Sequence, residues 1–364
     1  MQSRIDEVNA KLGFLRAGLM AANASALRLR GTAWFTWATA GASPTVLLTA
    51  ETGIAEVLVT LDGAWVLTDN IEERRLREEE LPQNFNVLAT PWAEPALREA
   101  RVREVSNGGL VLSDLPQGTE MPLPPAWLHQ RRMLMMSERE RYREVGRLAS
   151  EAMTDVLLNA RPDWTEYQLA GAGAEAMWAR GLEPALTLAA GDRRMSTYRH
   201  PTPSPAKLGS QAMLVFCARR YGLFANLTRF VSFGKLSEAD AERHHQVREI
   251  EAEALQASNP GKHLNEIYAA LDHAYQKQGY PDGILMHHQG GLTGYLSREV
   301  VATPTTKDSL TEGMAVAWNP SLPGAKIEDT FLINADGDLE NLTDDPRWPH
   351  TVTQGRKRPL PLEL

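Results

Sequence analysis

The chain has 364 residues, 43% hydrophobic and 23% charged, with a formal net charge of −8. That length suits two domains with packed cores, and the acidic balance without a long basic run argues against nucleic-acid partners. No apolar window approaches the ~20 residues of a bilayer span, so no membrane partner is expected. A single cysteine, Cys217, leaves no pair for a disulfide within this sequence and suits a cytoplasmic, reducing setting.

Residues 1 to about 22 read as an amphipathic helix, with Ile5, Val8, Leu12, Leu15 and Leu19 on one face. Its mixture of charged and apolar residues is unlike a signal peptide. Short strand-like runs follow: ALRLRG, AWFTW, TVLLTA, AEVLVTLDGAWVLTD and NVLATPW. Asp62-Gly63 lies between alternating apolar runs and marks a hairpin. Together these predict a small α/β domain over 1–115. The proline-rich LPQGTEMPLPPAWLHQRRM breaks regular structure, so 116–136 is expected as a linker. Ser137, with Glu140 three residues on, has the pattern of a capping box. Tyr142, Val145, Leu148, Ala149, Ala152, Val156 and Leu157 then form a helical apolar stripe. A second domain over 137–364 starts here.

The second domain repeats itself weakly. ARPDWTEYQLAGAGAEAMWARGLEPALTLAAG is similar to SNPGKHLNEIYAALDHAYQKQGYPDGILMHHQGG, each with a proline, a helix ending in glycine, and a strand ending in glycines. GSQAMLVFCARRYGLFANLTRFVSFG then pairs with EGMAVAWNPSLPGAKIEDTFLIN. Gly209 lies six residues before Val215 and Gly313 six before Asn319, and Asn226 corresponds to Glu328. A period near 100 residues is too long for a solenoid. Two halves packed face to face would bring these four hairpin positions to one central site.

The stretch VFCARRYGLFANLTR, 215–229, reads as a strand, a tight reversal at Arg220-Tyr221-Gly222, and a second strand. With MHHQGG, Trp318-Asn319-Pro320 and Glu328-Asp329-Thr330 it resembles the pita-bread family of methionine aminopeptidase, proline-specific aminopeptidase, prolidase and creatinase. The resemblance runs from about Ser137 to Leu339. The preceding domain is similar to the N-terminal domain of the creatinase and prolidase branch. It implies an α/β N-terminal domain, an α+β pita-bread domain with an internal pseudo-two-fold repeat, and a homodimer. The family's two-metal ligands, Asp, Asp, His, Glu and Glu, fall on Val215, Asn226, His287 or His288, Asn319 and Glu328. Register does not choose between the two histidines, since each has a glycine three residues later. His200, in YRHP, matches an upstream pocket histidine. Tyr295-Leu296-Ser297-Arg298-Glu299 resembles a creatinase segment whose arginine helps bind the substrate carboxylate. The metallopeptidases have a second histidine seven residues after the first; here Gly294 or Tyr295 stands there.

Two divalent ions bring about four positive charges, which carboxylates normally balance. One carboxylate would leave roughly three uncompensated in a buried pocket. No metal ligand set and no cofactor is therefore expected. A histidine of near-neutral pKa can move a proton without a metal. The implied function is metal-independent hydrolysis of an amide-like C–N bond in a small carboxylate-bearing or dipeptide-like substrate. His287 or His288 would be acid/base, His200 would assist, and Glu328 would hold a histidine or a cationic substrate group. Arg298, with Tyr295, Asn226 and Asn319, would bind substrate. A metal-dependent Xaa-Pro dipeptidase and a catalytically inactive binding protein stay open as alternatives.

Some residues carry two readings. Cys217 shares a strand face with Val215, so it is either a small buried hydrophobe or a thiol nucleophile. Trp34 and Trp37 are either a domain-core pair or reach toward a neighbour's active site. Arg229 is expected to brace the hairpin.

Overall fold

The computed structural model describes residues 2–364. The chain divides into two compact units, Met1–Arg131 with Met135–Glu138, and Arg132–Leu134 with Arg139–Leu364.

The first unit holds helices α1 (Gln2–Ala21), α2 (Thr32–Ala38), α3 (Glu73–Arg75), α4 (Pro95–Val105) and α5 (Ala126–Arg132). Its strands are β1 (Ala26–Gly31), β2 (Thr52–Val59), β3 (Ala64–Asp69), β4 (Asn86–Thr90), β5 (Val111–Ser113) and β6 (Met121–Pro122). They form one sheet in the order β4-β3-β2-β1-β5-β6. Helix α1 buries Val8, Leu12, Leu15 and Leu19, about three turns of one apolar face. The hairpin turns at Asp62-Gly63, where Thr60 N donates to Gly63 O.

Three local expectations are corrected here. AWFTW is helix α2, not a strand. Trp34 and Trp37 are buried within this unit with rings edge to face, 5.3 Å between centroids, so they are a core pair. A helix brings residues three apart onto one face, which alternation would not. TVLLTA contains no strand; Val46 and Leu47 are exposed there. The stretch 116–136 contains β6, paired in parallel with β5, and α5. Glu120 anchors it by accepting from Arg30 Nη1 at 2.5 Å and Nη2 at 2.7 Å.

Helix α6 (Met136–Leu158) starts in the first unit and belongs to the second from Arg139 onward. Its N-terminal box uses Glu138, not Glu140: the carboxylate accepts from Met135 N at 2.8 Å. Helix α7 (Glu166–Trp178) follows, capped by Thr165 and Gln168. Then come β7 (Glu183–Gly191), α8 (Asp192–Thr197), β8 (Gln211–Arg220), β9 (Leu223–Ser232), α9 (Glu238–Ala257) and α10 (Leu264–Lys277). The rest is strand: β10 (Gly290–Thr293), β11 (Val300–Val301), β12 (Ala315–Trp318), β13 (Ser321–Leu322), β14 (Ala325–Lys326), β15 (Asp329–Ile333), β16 (Leu339–Asn341), β17 (His350–Thr353), β18 (Arg356–Pro359) and β19 (Leu362–Glu363). One sheet runs β19-β9-β8-β7 and another β11-β10-β12-β15-β16.

The two halves repeat as the glycine register implied. Helix α7 leads to β7 and the β8–β9 hairpin; α10 leads to β10 and the β12–β15 pair. Equivalent isolated bridges, Thr165 with Lys207 and His263 with Ser309, tie each helix start to the run before its hairpin. The β8–β9 turn puts Tyr221 at φ 54° and Gly222 at φ 73°, the two-residue geometry that matches the twist of paired strands. Gly290 has φ 92°, and a Cβ there would stand 2.0 Å from Ala317 O, so only glycine lets β10 sit this close to β12.

A buried charge network supports the hairpins. Arg229 Nη2 donates to Asp329 Oδ1 at 2.8 Å and to Thr343 O at 2.9 Å. Arg358 bridges the other Asp329 oxygen (2.8 Å) to both oxygens of Glu251 (2.6 Å each). Removing one partner strands the others without water. Arg358→Met is expected to lower stability by about 3–5 kcal/mol in urea unfolding; a loss within ~0.5 kcal/mol would show the network to be dispensable.

Candidate active site

The halves meet where β9 and β15 approach each other. Thr228 N donates to Glu328 O at 3.0 Å. Asn226 N donates to the Thr330 hydroxyl at 2.8 Å, and that hydroxyl donates back to Asn226 O at 3.1 Å. Strand alternation turns Asn226 and Thr228 the same way. Cys217 and Val215 stand directly across from them on β8.

Glu328 is the charged centre of this seam. It is buried at 2% exposure and takes three donors. Arg298 Nη2 pairs with Oε1. Lys326 Nζ lies 3.1 Å from Oε2, and the Thr228 hydroxyl donates to the same oxygen at 3.1 Å. Burial by itself would raise this carboxyl; Lys326 and then Arg298 overcome it and hold it at about 2. The site therefore carries a buried lysine and a half-buried arginine around one ionised carboxylate.

Three histidines gather in the same unit. His287 Nε2 lies 2.9 Å from His200 Nε2. The His287 and His288 rings lie 4.5 Å apart at 23°, and His200 and His288 5.6 Å apart at 30°. His287 is buried, whereas His200 and His288 are exposed. Burial lowers His287 to about 2 and His288 to about 4, with Lys326 and Arg298 respectively adding to it. His200 is lowered too, first by burial and then by Lys326. The imidazoles are neutral near pH 7.

The model of metallopeptidase family M24 matches residues 140–335. This chain belongs to that family. An uncharacterized peptidase of Staphylococcus aureus (strain MW2) is 29% identical over 146 residues, 38% of this chain and 41% of that protein. The chain thus spans about two fifths of the length of the curated relatives it matches. Among solved structures, an X-Pro aminopeptidase from Thermotoga maritima superposes with a TM-score of 0.77 at 17% identity, over 92% of this chain and 98% of that one. The prolidase from Pyrococcus horikoshii gives 0.76 at 19%, over 94% and 99%. The N-terminal domain of FACT complex subunit SPT16 from Cicer arietinum gives 0.67 at 12%, over 94% and 96%. These likenesses show the fold: an N-terminal domain followed by a pita-bread M24 domain.

Against the M24 ligand positions, the donors are sparse. Val215 belongs to an apolar cluster with Leu188, Ala190, Met195, Met213 and Phe230. Asn226 donates from Nδ2 to Thr293 at 2.9 Å, while its Oδ1 has no protein partner. Asn319 Oδ1 is likewise buried without one. Glu328 is the one carboxylate at these positions, and two cations already hold it.

Several expected roles change. Residues 287 and 288 precede β10, following a short 3-10 turn at Gly283–Met286, so strand alternation does not separate their rings. Both turn toward His200. The fork of Arg298 is committed: besides Glu328, its Nη1 donates to Ser297 O at 2.6 Å. It is not free to clasp a substrate carboxylate with both arms. Tyr295 is 2% exposed and presents little surface. Cys217 is buried and its thiol is pushed up to about 12, by desolvation first and then by the Glu328 charge. It stays a thiol at neutral pH and is a small core group, not a nucleophile.

Lys326 was not picked out from the sequence. Its signal was present: it lies two residues before Glu328, the same-face spacing of an extended chain. Gln289 also escaped notice. It fixes the histidine backbone by donating from Nε2 to His287 O at 2.6 Å, and its Oε1 accepts from the Tyr275 hydroxyl at 3.0 Å.

The lowered His287 has a consequence for stability. The unfolded chain, with an ordinary histidine near 6.5, takes up a proton that the folded chain refuses down to about 2. Its contribution is thus present above about 6.5 and erodes as pH falls, by up to about 1.4 kcal/mol per pH unit. Between pH 6.5 and 5.5, where Glu328 is almost wholly ionised in both states, Tm is expected to fall less steeply in His287→Asn than in the unaltered protein. Parallel Tm curves would contradict a neutral buried imidazole.

Proposed function

We propose that this M24 member hydrolyses an amide-type C–N bond of a small, carboxylate-bearing substrate without the family's two-ion carboxylate centre. The observation that carries this reading is the pairing of Glu328 with both Lys326 and Arg298. Positive charge that metal ions would bring is supplied by two side chains. Two divalent ions would add about four positive charges to a seam in which Lys326 and Arg298 already outnumber Glu328. A valine and two neutral amides provide nothing to offset them. The donor set does not fit such a pair.

The remaining groups support acid/base chemistry. His287 stays neutral over a wide pH range and, through the 2.9 Å Nε2 contact, holds His200 in place. His200 is exposed and its pKa is lowered less drastically by its surroundings, so it is the better proton carrier. This reverses the expected division of labour between the two. In the proposed reaction His200 takes a proton from water as its oxygen adds to the carbonyl carbon. It returns that proton to the leaving nitrogen as the C–N bond breaks. Lys326 has ammonium protons beyond its bond to Glu328, and these suit a substrate carboxylate. Met195, Met213 and Phe230 line a narrow crevice beside Lys326, together with Tyr198 and Arg199. Asn226 and Asn319, like Tyr295, are buried and present little surface to a substrate.

A metal-dependent Xaa-Pro peptidase is the second reading, favoured by the X-Pro aminopeptidase and prolidase among the structural neighbours. The deciding experiment dialyses the protein against a strong chelator, verifies metal content, and assays Xaa-Pro dipeptides and small N-acyl and guanidino carboxylates. Hydrolysis is expected to survive chelation, and His200→Ala to reduce it by about 10²–10⁴-fold. Activity that appears only with added Mn²⁺ would overturn the proposal in favour of the second reading. The lowered pKa of His200 also places the acid limb of kcat/KM below pH 6.5; a limb at or above 6.5 would remove it as the base.

A further inference from the structure

We propose that His200, His287 and His288 form a binding site for one borderline transition-metal ion, of which zinc is the best fit. It shares one histidine with the M24 ligand positions and differs from them in the rest, because Glu328, Asn226, Asn319 and Val215 contribute nothing to it.

The geometry carries the inference. One ligand atom from each imidazole can be chosen so that all three lie within 4.8 Å of one another. Zinc binds imidazole nitrogen at about 2.0–2.1 Å in a tetrahedral arrangement, which sets neighbouring nitrogens about 3.4 Å apart. The observed 2.9 Å between His200 and His287 and the 4.8 Å limit bracket that value. Small ring rotations bring the trio to it. Two of the three rings are exposed, so an ion has an open approach, and a fourth position is left for water.

The donor chemistry narrows the ion. Three neutral imidazoles with no carboxylate suit zinc, copper or nickel and are poor ligands for magnesium or manganese. Lys326 and Arg298 stand near and carry like charge, but both are drawn to Glu328. Their repulsion weakens the site and places its affinity below that of a closed structural zinc site. A bound ion takes the lone pairs that proton transfer by His200 requires. Metal loading and the proposed hydrolysis therefore compete, and the two are measured separately.

The test titrates chelator-stripped protein with Zn²⁺ by calorimetry, without substrate, so that a failed hydrolysis assay leaves the binding result standing. One ion per chain is expected. His200→Ala and His288→Ala, both exposed positions at which folding is undisturbed, should each weaken binding by at least about tenfold. Asn319→Ala, at an M24 ligand position outside the trio, should leave it within a few-fold, and Mn²⁺ should bind far more weakly. Co²⁺ should give the visible absorption bands of a four-coordinate ion, absent in His288→Ala. No Zn²⁺ binding, binding unchanged in both histidine variants, or binding lost in Asn319→Ala but kept in His288→Ala would each overturn the proposal.

Discussion

A carboxylate sealed away from water must be neutralised, and that requirement organises the centre of this protein. Glu328 sits where the two halves of the M24 domain touch, and its own backbone carbonyl accepts the bond that joins them. With both oxygens engaged by Lys326, Arg298 and Thr228, the carboxylate fixes the loop after β10, the end of β14 and the face of β9 at once. Asp329, the next residue, points into the Arg229–Arg358–Glu251 network. Alternation along one strand therefore divides two charge systems, one around the candidate site and one in the core behind it.

The histidines depend on this arrangement in a second way. Their cluster lies beside two cations and is partly withdrawn from water, and both conditions disfavour the imidazolium form. Glycines make the placement possible, since the close approach of Gly290 to β12 leaves the preceding histidine pair directly at the sheet end. Gln289 then locks the backbone between them through Tyr275.

Much of this was legible in the sequence because it rests on backbone rules. The glycine register at Gly209 and Gly313 gave the repeat, and Tyr221-Gly222 gave the hairpin turn. The M24 positions and the pairing of His200 with one of His287 and His288 followed from a motif match; that both rings meet His200 did not. What escaped depended on side chains whose partners are distant in sequence. AWFTW has strand-like composition, but its packing made it helix α2. LPQGTEMPLPPAW looks like a linker, yet Glu120 finds two arginine nitrogens 90 residues away. Arg298 was read as a substrate arm because the unpaired state of a cation cannot be judged without knowing where the nearest carboxylate lies. Lys326 went unnoticed for the same reason.

The pseudo-two-fold repeat makes the cavity nearly palindromic in its backbone, but the side chains break that symmetry. At corresponding positions the first half carries Val215, Cys217 and Phe224, where the second carries Asn319, Ser321 and Lys326. One wall is oily and the other polar and cationic. A duplicated scaffold thus acquires a polarity that its backbone alone does not have, and its two faces are chemically unlike.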